Sequence, residues 1–105
     1  MSAVQPKKSL GQHFLVDRNV LGVIERLAGL APTDVVLEVG PGLGVLTAYV
    51  ADRVRHVHAV ELDRSLDGPL REAIGDRTNV ALLFGDALEL DLEALAPAPE
   101  KLVAN

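Results

Sequence analysis

Apolar residues along the 105-residue chain fall by turns into stripes of helical period and short unbroken runs. After Asp17, a side chain suited to capping a helix, Val20, Leu21, Ile24, Leu27 and Ala28 recur on one face. That spacing predicts a helix running to about Ala28, with Gly29 to close it. Ala31-Pro32-Thr33-Asp34 reads as a turn. Val35–Val39, β-branched and almost wholly apolar, predicts a short buried strand. Glycines follow at 40, 42 and 44, and then Leu46, Tyr49, Val50 and Val54 predict a helix from Val45 to about Val54. His56–Leu62 predicts a second strand. The next pattern contains Gly68-Pro69. Proline suits a first helical turn, so a helix is expected to start there, capped by Asp67, with Leu70 and Ile74 as its buried face. Asn79–Phe84 predicts a third strand and Ala87–Leu95 one or two helical turns. Pro97 and Pro99 break the chain, and Lys101–Asn105 begins a fourth strand. Met1–Pro6 reads as an unstructured leader.

Strands alternating with helices specify an α/β fold with a parallel sheet and right-handed crossovers. Ligands bind such sheets beyond the carboxyl ends of the strands. That rule lines up Gly40–Gly44, Glu61–Asp63, Asp86 and Asn105 along one edge.

Composition narrows the class. The length suits one small domain. Hydrophobic residues make up 49% and aromatics 3%, so the core is expected to be aliphatic. Mean hydropathy is +0.24, which argues against disorder. Without cysteine there is no disulfide, thiolate metal site or cysteine nucleophile. No apolar run reaches the roughly 18 residues of a membrane span, and no secretory leader is visible. A cytoplasmic domain with no membrane partner is expected. The net charge of −5 is uneven. Residues 1–30 set Lys7, Lys8, Arg18 and Arg26 against Asp17 and Glu25, leaving +2, and the rest of the chain carries −7. Bulk charge therefore does not point to nucleic acid. On charge alone the two lysines read as a solvated tail.

The residues able to do chemistry sit at the strand ends. In Glu38-Val39-Gly40-Pro41-Gly42-Leu43-Gly44 the glycines let the backbone turn tightly and approach a ligand at the start of a helix. The spacing is G-x-G-x-G, one residue short of the dinucleotide fingerprint. It suits a ligand with no pyrophosphate, such as S-adenosylmethionine, though a plain strand–helix turn has the same look. Glu61 ends the second strand 21 residues after Gly40, where a carboxylate can accept both ribose hydroxyls. Its other reading is a solvent-facing charge. Asp86 ends the third strand and, with the Ala87 N–H, matches the donor and acceptor of an adenine edge. That feature favours methyl transfer over hydride transfer. Glu38, an acid inside an apolar strand, is expected either to accept from amides of the glycine loop or to stand near the ligand's cationic end. His56 and His58 read as ordinary, partly exposed histidines, with no third ligand at a spacing that would hold a metal.

Lys7-Lys8-Ser9-Leu10-Gly11-Gln12-His13-Phe14-Leu15, taken with Glu38–Gly44, Glu61-Leu62-Asp63 and Gly85-Asp86-Ala87, resembles the ribosomal RNA adenine N6-dimethyltransferases. The Leu-Gly-Gln-His-Phe-Leu segment is the most specific part. Gly11, where the sister resistance enzymes of large-subunit rRNA usually have serine, favours the bacterial small-subunit branch. The resemblance implies a Rossmann-like class I S-adenosylmethionine-dependent methyltransferase fold, here an incomplete parallel sheet with flanking helices. It implies an arm over residues 1–16 that carries the Gly-Gln-His-Phe-Leu motif, and the first part of a cofactor-binding domain over 17–105. It implies dimethylation of two adjacent adenosines near the 3′ end of 16S rRNA, within the assembling 30S subunit, by a monomer. Cofactor contacts are implied at His13, Leu15, Gly40, Glu61, Asp86 and Asn105, and the reading of the glycine loop adds Gly42. Asn105 would also be catalytic, as the first residue of an Asn-Leu-Pro-aromatic motif whose remainder is not in this sequence. The chain is accordingly expected to be an N-terminal fragment, inactive alone. Three alternatives remain at this point: a large-subunit rRNA methyltransferase, an NAD-dependent oxidoreductase domain, and a non-catalytic ribosome-assembly module.

Overall fold

A computed structural model describes residues 18–104. Its first helix, α1 (Arg18–Ala28), ends where Gly29 turns into the left-handed region at φ 62°. The expected cap, Asp17, lies outside the described residues. The strands follow as β1 (Val35–Val39), β2 (His56–Glu61), β3 (Val80–Phe84) and β4 (Lys101–Ala104). Helices α2 (Val45–Ala51) and α3 (Asp67–Ile74) join the first three. All pairings are parallel, in the order β3-β2-β1-β4. The chain steps from β1 to β2 to β3 in one direction and then returns to the far side of β1. The strand order therefore reverses between β1 and β4, the place where open α/β sheets form a crevice at their carboxyl edge.

Alternation along the strands decides what each face packs against. Val36, Val57, Ala59 and Val103 meet Leu21 of α1 and Leu46, Val50 and Ala51 of α2 in one aliphatic core. Helices α1 and α2 thus cover this face, and α3 packs beside the start of α2 through Leu70 and Ala73. His58 points the other way, where its Nε2 lies 2.8 Å from the Pro97 carbonyl and ties down the connection from β3 to β4. Leu83 and Leu102 remain exposed on the flanking strands of that second face.

Two helices depart from the sequence pattern. α2 stops at Ala51, three residues short of the expected end, although Val54 is still buried. Asp67 does not cap α3. It is the first helical residue and binds Arg71 at 2.8 Å, while Asp63 caps a preceding 3-10 turn, Arg64–Leu66, by accepting from the Ser65 N–H at 2.9 Å. Starting early leaves Pro69 in the first turn, where its missing N–H has no intrahelical acceptor to lose. Leu70 and Ile74 are buried, as the pattern predicts. Ala87–Leu95 holds two 3-10 turns, Ala87–Glu89 and Leu92–Ala94, each begun by an aspartate, Asp86 or Asp91, accepting from an N–H two residues on.

Candidate cofactor site at the carboxyl edge

The turn after β1 is built from glycines because its backbone demands them. Gly40, Gly42 and Gly44 all have positive φ, 75°, 60° and 89°, a region side-chain-bearing residues rarely adopt. Their surroundings differ. A β-carbon on Gly42 would meet nothing within 4 Å, whereas one on Gly44 would lie 2.6 Å from the Ala73 Cβ. Gly42 fronts open space, and Gly44 lets α2 pack closely on α3.

Two buried acids lie beneath this turn. Glu61 is 7% exposed, and its carboxylate is clamped by backbone: Oε1 accepts from the Gly42 N–H at 3.0 Å and Oε2 from the Asp63 N–H at 2.9 Å. The acid at the end of β2 thereby fixes the glycine turn after β1. Each carboxylate oxygen keeps a second lone pair for another donor. Glu38 is fully buried. Its Oε1 accepts from the Thr47 hydroxyl at 2.5 Å, and its Oε2 has no partner. Burial raises its pKa to about 7, with the Thr47 hydrogen bond pulling down and the Glu61 charge pushing up. Of the two expectations for Glu38, acceptance from the glycine-loop amides is corrected, because Glu61 takes the Gly42 amide and leaves Glu38 to Thr47. Thr47 escaped the sequence reading. Its visible signal was a hydroxyl between Leu46 and Val50 on a helix whose other buried residues are aliphatic.

Phe84 lies opposite Glu61 in the sheet, and the Gly85 N–H donates to the Glu61 carbonyl at 2.9 Å, so β3 delivers Asp86 to the same edge. Asp86 is exposed, with Oδ1 accepting from the Leu88 N–H at 2.9 Å. Two large apolar side chains stand in solvent here, Leu62 at 72% exposure and Leu88 at 94%. The structure therefore brings together Gly40, Gly42, Glu61 and Asp86. His13, Leu15 and Asn105 lie outside the described residues.

Residues 3–102 match the family model for ribosomal RNA adenine dimethylases. The chain belongs to that family. A ribosomal RNA small subunit methyltransferase A from Rubrobacter xylanophilus is 52% identical to it over 101 residues, 96% of this chain and 38% of the relative. The chain thus spans well under half the length of the relatives it matches. Among solved structures, the 23S rRNA methyltransferase ErmE superposes with a TM-score of 0.65 at 39% identity, covering 71% of this chain and 31% of that one. A coclaurine N-methyltransferase bound to N-methylheliamine and SAH (S-adenosylhomocysteine) gives 0.63 at 25%, covering 71% and 23%. The fold is therefore the Rossmann-like class I methyltransferase fold, and membership of the family sets aside the oxidoreductase alternative.

Proposed function

We propose that this chain supplies the S-adenosylmethionine-binding part of a cytoplasmic, monomeric enzyme that dimethylates adenosine N6 in small-subunit rRNA during ribosome assembly. The observation that carries the cofactor reading is the Glu61 clamp. A carboxylate held by two backbone amides at the end of β2 is preset to accept a pair of hydroxyls, as a ribose presents them. The residues present fit such a ligand in three further respects. Gly42 fronts open space, Leu62 and Leu88 offer apolar surface to a purine ring, and Asp86 can accept from an exocyclic amine. The names of the relatives support the small-subunit target over the large-subunit one.

S-adenosylmethionine supplies an activated methyl group when bound. Gly40 and Gly42 let the backbone lie against the ligand, Glu61 orients the ribose and Asp86 the base. His13 and Leu15, implied by the resemblance, belong to the arm over residues 1–16 and complete the contacts of the domain that follows it. Asn105 follows β4 at the reversal of strand order, and the resemblance makes its side chain the acceptor for the N6 hydrogens. That contact keeps the nitrogen lone pair on the nitrogen and out of the ring, which favours attack on the methyl group.

The test is transfer of labelled methyl groups by the complete protein to unmethylated small ribosomal subunits. Dimethyladenosine in the digested small-subunit RNA is expected. Methylation confined to large-subunit RNA would move the assignment to the sister branch, and no transfer to either would refute it.

A further inference from the structure

On the outer side of α1 and α2 lies a recess that the cofactor reading does not use. It is open to solvent and about 320 Å³ in volume. Its apolar end is Leu21 of α1 with Val45, Ala48 and Tyr49 of α2, and its polar end is Asp52, Arg53 and Arg77. The walls are fixed before anything enters. The Tyr49 hydroxyl donates to Glu25 at 2.6 Å, and the Arg53 guanidinium stands 3.5 Å from the Tyr49 ring centre and also binds Glu25. Arg77 forks onto Asp52 at 2.8 and 3.1 Å. Both arginines are committed to acids, so the recess is not an anion site. What it offers an occupant is the apolar end.

The place of the recess in the fold names the occupant. α2 leaves the glycine turn at the carboxyl edge, and α1 ends just before β1 begins, so both helices run from the carboxyl edge to the amino edge. Leu21 sits one turn into α1 and Val45 is the first residue of α2, which puts the apolar end at the carboxyl edge beside the start of α1. The arm that precedes Arg18 lies outside the described residues, and it joins the described fold at this point. It carries Leu10, Phe14, Leu15 and Val16. Phe14 is separated from Arg18 by a chain span of at most about 14 Å, and Leu21 lies only about 5 Å along α1 from Arg18, so Phe14 reaches the apolar end. Neighbouring side chains of an extended segment point to opposite sides. A chain that turns His13 and Leu15 toward the cofactor therefore turns Phe14 away from it.

We propose that the recess between α1 and α2 is the seat of the arm: Phe14 fills its apolar end against Leu21, Val45, Ala48 and Tyr49, and so holds His13 and Leu15 toward the glycine turn. Phe14 is a positioning residue, and its effect on the ligand rests on the cofactor reading above. Burial of one aromatic side chain against a preformed wall is enough to change cofactor affinity about tenfold.

The experiment uses the complete protein and reads two quantities: amide hydrogen exchange over residues 10–16 without ligand, and S-adenosylmethionine affinity by calorimetry. The variants are Phe14→Ala, Phe14→Leu, Ala48→Phe, which fills the recess with a side chain of its own, and the double variant Phe14→Ala with Ala48→Phe. Exchange over the arm is expected to be slowed in the wild type and fast in Phe14→Ala and in Ala48→Phe. Each of these two weakens S-adenosylmethionine binding about tenfold, and Phe14→Leu recovers most of the loss. The double variant binds no more weakly than either single one, since either alone unseats the arm. Fast exchange over the arm in the wild type, or losses that add in the double variant, would overturn the seat. Exchange or affinity that changes with protein concentration would assign the recess to a second copy and overturn it as well. Slowed arm exchange that Ala48→Phe abolishes, together with no S-adenosylmethionine binding in any variant, would keep the seat and remove the cofactor reading.

Discussion

Asp34 just before β1 and Glu38 near its end are both buried acids, and the fold treats them in opposite ways. Asp34 accepts from Lys101 Nζ at 2.7 Å and the Ala31 N–H at 2.8 Å, and these bonds hold its carboxyl below the ordinary range. Glu38 has one hydroxyl donor, and burial pushes it up to about 7. The contrast extends to the whole sheet. At the amino end Asn79 Nδ2 donates to the Ala51 and Val54 carbonyls at 2.8 and 3.2 Å, Glu100 accepts from the Val35 N–H, and Arg77 forks onto Asp52. These polar groups satisfy one another and close the domain, and of the buried side-chain atoms at that end only His56 Nε2 goes without a partner among the described residues. At the carboxyl end they are oriented by backbone but retain capacity to bind, beside exposed leucines. The difference separates residues that hold the fold from residues held by it.

The largest effect is expected inside the glycine turn. Gly44→Ala adds a positive-φ penalty to a collision with Ala73 and should destabilise the protein by about 3 kcal/mol in urea titration. Gly42→Ala, with the same backbone sign but open space, should cost about 1 kcal/mol of stability. Equal losses would mean that α2 and α3 do not pack through Gly44.

A comparable effect separates the two acids by pH. Because the folded pKa of Glu38 is raised, its favourable contribution is complete below the unfolded value of 4.5 and is lost as pH rises through about 7. Free protein should therefore lose roughly 3 kcal/mol from this group between pH 4.5 and 8, and Glu38→Gln should flatten that slope. Asp34 runs the other way: its contribution is present above 3.8 and disappears as pH falls through its lowered folded value. Urea midpoints across the pH range resolve the two windows, and a single acid-side transition would erase the contrast.

Much of this was legible before any coordinates. Val35–Val39 and the positions of Glu61 and Asp86 follow from apolar runs ending in glycine or acid, because a buried parallel strand needs continuous hydrophobicity and its carboxyl end does not. The end of α2 was not legible, since Val54 stays buried after the helix has stopped and so continues a helical stripe without helical backbone. The start of α3 was missed because Asp63 and Asp67 both look like caps, and only three-dimensional context gives Asp67 to Arg71. Which acid holds the glycine turn was likewise hidden. Glu38 is adjacent in sequence, but its side chain points toward Thr47, and Glu61 reaches across from the neighbouring strand.

Smaller effects test the ligand edge. Asp86→Ala should weaken S-adenosylmethionine binding by about 1 kcal/mol, at the low end for a lost hydrogen bond because the side chain is exposed. Unchanged affinity in a calorimetric titration would take Asp86 out of the site.

The central claim is that the carboxyl edge binds and the amino edge folds. It is tested most directly by measuring S-adenosylmethionine affinity and urea stability in parallel for Glu61→Ala and Asn79→Ala of the complete protein. Glu61→Ala is expected to lose about 1–3 kcal/mol of binding and less of stability, and Asn79→Ala about 1–2 kcal/mol of stability with wild-type affinity. The reverse pattern, or equal losses of both quantities in both variants, would contradict the account.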